Sequence, residues 1–183
     1  MSTDKLDLFP EGKLQVTLQR LCQQLIEHYG DFKDTVIIGL QPRGVFLAKR
    51  ISELLKTRIP SLDLPQGTMD VTFYRDDFRK RDIPITPNQT QIDFLTENKQ
   101  VILIDDVLYT GRTVRAAMDA MLAYGRPSTV SLLVLVDRVR KRQLPVSASY
   151  IGIKVDTMET QRVLVELKES GGKDRVFLVS KEE

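Results

Sequence analysis

The stretch Val101-Ile102-Leu103-Ile104-Asp105-Asp106-Val107-Leu108-Tyr109-Thr110-Gly111-Arg112-Thr113 decides how the rest of this 183-residue chain is read. Four apolar residues end at two adjacent acids, and a Thr-Gly-x-Thr turn then opens an apolar pattern of helical period. In an open α/β sheet, ligands bind outside the carboxyl ends of the strands. The helix that follows offers unpaired N–H groups and a partial positive charge, which suit a phosphate. Gly111 permits close backbone approach, and the hydroxyls of Thr110 and Thr113 add donors. Two carboxylates one turn away cannot bind that phosphate. They can bind sugar hydroxyls, or hold water around a hard cation such as Mg²⁺. The expected ligand therefore carries a phosphate at one end and a diol with a metal beside it, as a phosphorylated ribose does.

Each half of the segment is unspecific alone. An acid pair after a strand is ordinarily a turn or cap, and Thr-Gly-x-Thr is an ordinary helix start. The tandem after an apolar strand is what specifies a site. Rival phosphate motifs fail on chemistry. Gly39 and Gly44 have Walker A spacing, but Val45 and Phe46 stand where Lys and Ser or Thr are needed. No Gly-x-Gly-x-x-Gly follows a strand. A receiver domain would carry its acids after the first strand, not past mid-chain.

Working outward, Leu14, Leu18, Leu21, Cys22, Leu25, Ile26 and Tyr29 predict a helix stopped by Gly30. Cys22 reads as core packing, and His28, at the helix end, takes no catalytic role. Val36–Leu40 predicts a strand, the turn to Gly44 follows, and Val45, Leu47, Ala48, Ile51, Leu54 and Leu55 continue as a helix. Further strands are expected at Ile59–Leu64, Met69–Arg75, Val101–Ile104, Val130–Val136, Tyr150–Val155, Val163–Leu167 and Val176–Val179, with Gly171-Gly172 as a turn. Residues 76–91, charged and broken by Pro84 and Pro87, predict a flexible loop. The helix after Thr113 should turn Val114, Ala117, Met118, Met121 and Leu122 inward. Strands alternating with helices give an α/β fold with a central, mostly parallel sheet.

The bulk numbers agree with one domain spanning 1–183. No apolar run approaches the ~20 residues of a membrane helix, and no secretory pattern opens the chain. A single cysteine excludes an internal disulfide, so a cytoplasmic protein is expected. The net charge of +2 is too mild to demand a nucleic-acid partner. The run Arg138, Arg140, Lys141 and Arg142 could attract phosphates, or could be a solvated loop.

Val101–Thr113 resembles the phosphoribosyl-pyrophosphate (PRPP) signature of type I phosphoribosyltransferases. Asp105–Ala116 is especially similar to the PyrR family, the pyrimidine-operon attenuators and uracil phosphoribosyltransferases. Arg43-Gly44 with Leu47-Ala48-Lys49-Arg50, Asp70–Asp77, Gly125–Ser128, Leu135–Arg138, Leu144-Pro145 and Tyr150–Gly152 extend the likeness over most of the chain. The resemblance implies the type I fold with a small hood from the C-terminal strands, and transfer of phosphoribosyl from PRPP to uracil with Mg²⁺.

It also implies roles. Arg43, Asp105, Asp106, Tyr109, Thr110, Gly111, Arg112 and Thr113 would bind PRPP. Asp105 and Asp106 would hold the ribose hydroxyls and orient metal-bound water, and with Arg75 would make up the catalytic set. Arg75, Asp76 and Asp77 would form the flexible loop that closes over the site. Val136, Asp137 and Arg138 would read the base, within a base-binding and hood segment at 137–160. Partners would be PRPP with a nucleobase or nucleotide, RNA as a second candidate, and further copies of the chain in a dimer or higher assembly.

The chain departs from the family at the base. Gly-His-Arg-Glu-Leu-Pro after the family's Asp-Arg becomes Val139-Arg140-Lys141-Arg142-Gln143-Leu144-Pro145. Gly-Lys-Asn-(apolar)-Pro-Thr-Ser becomes Gly152-Ile153-Lys154-Val155-Asp156-Thr157-Met158. The first turn reads Gln41-Pro42-Arg43 where a Thr commonly precedes the Arg. A nucleotide-sensing RNA-binding attenuator and a transferase for a purine base therefore stand beside the uracil enzyme.

Overall fold

The computed structural model describes residues 5–10, 12–71, 89–158 and 160–180. Eight strands and three α-helices run in the order β1 (Lys5–Asp7), α1 (Lys13–Tyr29), β2 (Thr35–Leu40), α2 (Gly44–Arg58), β3 (Gln66–Met69), β4 (Gln100–Leu108), α3 (Arg112–Met121), β5 (Thr129–Val139), β6 (Tyr150–Asp156), β7 (Gln161–Glu166) and β8 (Arg175–Ser180) among these residues. Five strands form a parallel sheet in the order β3-β2-β4-β5-β6. The chain winds one way from β2 to β3 and the other way from β4 through β5 to β6. The carboxyl ends of β2 and β4 thus flank the switch point where such sheets bind ligands.

Both faces of the sheet are covered, which is why its strands read as apolar runs. Val36, Ile38 and Leu40 of β2 pack with Val114, Ala117 and Met121 of α3. Ile37 faces the other way, with Leu21 and Leu25 of α1 and Leu47, Ile51 and Leu55 of α2. Cys22 lies in that second layer, its Sγ 3.8 Å from Ile51 O, and burial pushes its thiol up to about 11. An inert packing role fits both facts.

The second sheet, β1-β8-β7, is antiparallel and forms the hood. The C-terminal strands expected from sequence are joined there by β1, whose Lys5, Leu6 and Asp7 pair with Val179, Leu178 and Phe177. Arg50 of α2 ties the hood to the body. It reaches Glu169 at 2.6 and 2.7 Å and Asp174 at 2.7 and 3.0 Å.

Several sequence expectations need correction. Ile59–Leu64 is not a strand; the pairing strand is Gln66–Met69. Leu62 and Leu64 are buried, so their alternation reports burial, while Pro60 and Pro65 have no N–H for a ladder. Of the expected strand Met69–Arg75, only Met69 pairs, and residues 72–75 lie outside the described set. Within the expected loop 76–91, residues 76–88 lie outside it too, whereas Gln91 forms a bridge with Thr68. Met118 and Leu122 are 48% and 71% exposed, not inward. Alanines at 116, 117 and 120 carry the inner face of α3 instead, and the helix ends before Leu122 enters a 3-10 turn.

Candidate active site

The acid pair belongs to β4 itself. Parallel pairing with β5 continues past Ile104, through Asp105 opposite Val134 to Leu108 opposite Asp137. That ladder fixes the main chain that carries both acids, and each is only 7% exposed. Asp105 Oδ1 accepts from the Asp106 N–H at 2.8 Å, and Asp106 Oδ1 accepts from the Val107 N–H at 2.9 Å. Burial, and then the neighbouring Asp106 charge, push Asp105 well above the usual carboxylate range.

Arg43, in the turn between β2 and α2, forms an ion pair through Nε with the Asp106 carboxylate. Gly44 is what lets that turn sit against β4. A Cβ there would lie 2.3 Å from Ile104 O and 3.1 Å from Asp105 Cα. The turn after β4 is completed by Gly111 at φ +93°, a left-handed conformation that starts α3 and that a side chain would strain.

These pieces face one cavity of about 440 Å³. Arg43, Asp105, Asp106, Tyr109, Thr110, Gly111, Thr113 and Arg138 line it, so most of the expected site residues meet there. Arg112 does not line it, and its Nε donates to Gln143 Oε1 at 2.8 Å. Of the expected base readers, only Arg138 reaches the cavity. Val136 is fully buried, and the Asp137 carboxylate pairs with Arg142. Arg75, Asp76 and Asp77 lie outside the described residues. Sequence reasoning missed Gln41 and Pro42, joined by a cis peptide bond, and Val163 of the hood. The departure at Gln41-Pro42 from the family pattern was the signal for the first two; nothing in the sequence marked Val163.

The basic run resolves into separate tasks. Arg138 is 5% exposed; its Nε and Nη2 donate to Thr157 Oγ1 at 3.0 and 2.9 Å, and Nη2 donates to Gln161 O at 2.9 Å. Burial pulls it below the ordinary arginine value. Arg142 is bonded to Asp137 and to main-chain carbonyls, and Arg140 lies 3.3 Å from Asp156. Two of its arginines are thus engaged inside the fold and do not form an exposed anion-binding patch.

Residues 10–170 match the phosphoribosyl transferase domain family. The bifunctional protein PyrR of Oceanobacillus iheyensis is 43% identical over 179 residues, covering 97% of this chain and 98% of its own. This chain belongs to the PyrR family of phosphoribosyltransferases. Another member, from Enterococcus faecalis (strain ATCC 47077 / OG1RF), is 42% identical over 161 residues, 88% of this chain and 89% of that one. Among solved structures, a hypoxanthine phosphoribosyltransferase of Trypanosoma cruzi shares the fold at TM-score 0.71 with 15% identity, covering 97% of each chain. A hypoxanthine-guanine phosphoribosyltransferase of Bacillus anthracis does so at 0.68 and 16%, covering all of both. PyrR membership and the type I fold thus agree with the acid pair and the Tyr109–Thr113 turn that follows it. Among the described residues, no helix is long and apolar enough to cross a membrane.

Proposed function

We propose that this enzyme transfers the ribosyl phosphate of PRPP to N1 of uracil and releases pyrophosphate. The observation that carries the reading is the single cavity shared by Asp105, Asp106, the Tyr109–Thr113 turn and Arg43. The turn cradles the 5-phosphate, the two carboxylates hold the ribose hydroxyls, and Arg43 faces the pyrophosphate. Positive charge grows at C1 of the ribose in the transition state and negative charge on the leaving group. The buried acid pair at the ribose and the Arg43 guanidinium at the pyrophosphate stabilise both developing charges. Arg138, at the wall of that cavity, reads the base.

Mg²⁺ fits this donor set as an ion held through water and substrate. Among the described residues, no three His, Cys, Asp or Glu side chains group as a direct metal cage. Paired carboxylates with substrate phosphates are the usual Mg²⁺ arrangement. A bound Mg²⁺ would shield the charge on the leaving pyrophosphate. The fold's relatives in solved structures include enzymes named for hypoxanthine, so a purine base is the alternative.

Turnover with PRPP and uracil, run beside hypoxanthine and guanine, tests the reading. Product with uracil alone is expected. Product only with a purine would transfer the assignment to that base. RNA is the second partner we infer from family membership, together with self-assembly into a dimer or higher. The internal engagement of Arg138 and Arg142 leaves fewer cations for RNA phosphates than the sequence offers. Binding of a pyrimidine-operon leader that weakens steeply with salt would support the RNA partner, and a flat salt response would remove it.

A further inference from the structure

The turn after β4 directs its carbonyls at the loop that follows β5. Leu108 O accepts from Arg142 Nη1 at 3.3 Å, and Tyr109 O accepts from the same nitrogen. Thr110 O accepts from the N–H groups of Gln143 and Leu144 at 3.0 and 3.3 Å. A trans peptide sets its N–H opposite its C=O. With these three carbonyls engaged on the loop side, the N–H groups of Tyr109, Thr110 and Gly111 are turned the other way. Those same three residues line the cavity. Successive N–H groups turned to one side form an anion-binding concavity.

Arg142 holds the loop in that place. Its Nε donates to Val146 O at 3.0 Å, Nη1 also to Arg138 O at 3.2 Å, and Nη2 pairs with the Asp137 carboxylate. One guanidinium therefore joins the ends of β4 and β5 to the loop. Leu144 and Val146 back the turn directly, since a Cβ on Gly111 would lie 3.5 and 3.3 Å from their Cβ atoms. Arg142 itself is not part of the cavity wall.

We propose that Arg142 is a positioning residue for the PRPP 5-phosphate. It acts by fixing the Leu108 and Tyr109 carbonyls and so aiming the turn's N–H groups. This inference rests on the PRPP reading above. Lysine is a poor substitute, because a point charge can meet Asp137 but cannot fork to carbonyls on three segments.

The test is calorimetry on the full chain and its Arg142→Ala and Arg142→Lys variants, with ribose 5-phosphate and, separately, with pyrophosphate and Mg²⁺. Ribose 5-phosphate should bind about tenfold more weakly, or worse, in both variants. Pyrophosphate, met by the Arg43 turn, should change less than about twofold. In turnover, KM for PRPP should rise by more than kcat falls. Wild-type affinity of Arg142→Lys for ribose 5-phosphate would overturn the proposal. So would equal weakening of both ligands, the mark of general structural damage. If Arg142→Ala does not fold, the lysine variant decides alone. If the wild-type chain bound neither ligand, the PRPP reading itself would fall, and this inference with it.

Discussion

The guanidinium of Arg138 lies 3.9 Å from the centroid of the Tyr109 ring. The pair joins the Tyr109–Thr113 turn to the end of β5, and the bonds of Arg138 to Thr157 and Gln161 carry the link into the hood. A buried arginine is tolerated because its Nε and Nη2 find acceptors and an aromatic face shields its charge.

Arg138→Met keeps the apolar stem and removes the donors. The Gln161 carbonyl and Thr157 hydroxyl then lose their partner. The expected loss of stability is about 2–3 kcal/mol. Urea denaturation measures it, and a change under about 0.5 kcal/mol would show that the network adds nothing to stability.

Gly44→Ala inserts a Cβ where Ile104 O stands 2.3 Å away. Neither main chain can yield without moving Asp105 or the start of α2. A stability loss of about 1–3 kcal/mol is expected, with activity falling further than stability alone explains. Thermal melts alongside PRPP turnover check both parts.

The strand-acid-turn-helix segment was legible because each of its layers leaves a mark in sequence. Val101–Ile104 is apolar on both faces, as a strand between two helical layers must be, and Gly111 flags the left-handed turn. The helices α1 and α2 were legible by period. What sequence does not encode locally is long-range pairing. β1 has three exposed residues and no apolar pattern, and exists only because β8 has a free edge beside it. The Arg138–Arg142 run posed the same problem. Composition counts four cations, but Asp137, Thr157 and the carbonyls of Leu108, Tyr109 and Gln161 decide which of them are engaged inside.

Asp106→Asn keeps the volume and deletes the charge that pairs with Arg43. If the carboxylate stabilises the ribose as positive charge develops, turnover falls by about two orders of magnitude or more. Steady-state kinetics with saturating PRPP checks this, and unchanged kcat would remove Asp106 from the mechanism.

The tie between hood and body should fail in acid. The hydrogen bonds from Arg50 hold Glu169 below its ordinary value against the opposing effect of burial. Burial alone would raise Asp174, but the bonds from Arg50 and the Lys168 N–H outweigh it and leave that carboxyl lowered too. A carboxyl lowered in the folded state contributes stability above its unfolded pKa, roughly 4, and loses it as pH falls through the folded value. Arg50→Met should therefore cost about 1–2 kcal/mol near neutrality, where the bidentate contacts are charged. As the pH falls below about 4 and on through those lowered values, the gap between the two proteins should shrink, because protonation breaks the tie in the wild type. Urea midpoints at pH 7 and pH 3 measure the gap. A gap that stays constant between those values would show that Arg50 stabilises the hood through its packed stem and not through its charge.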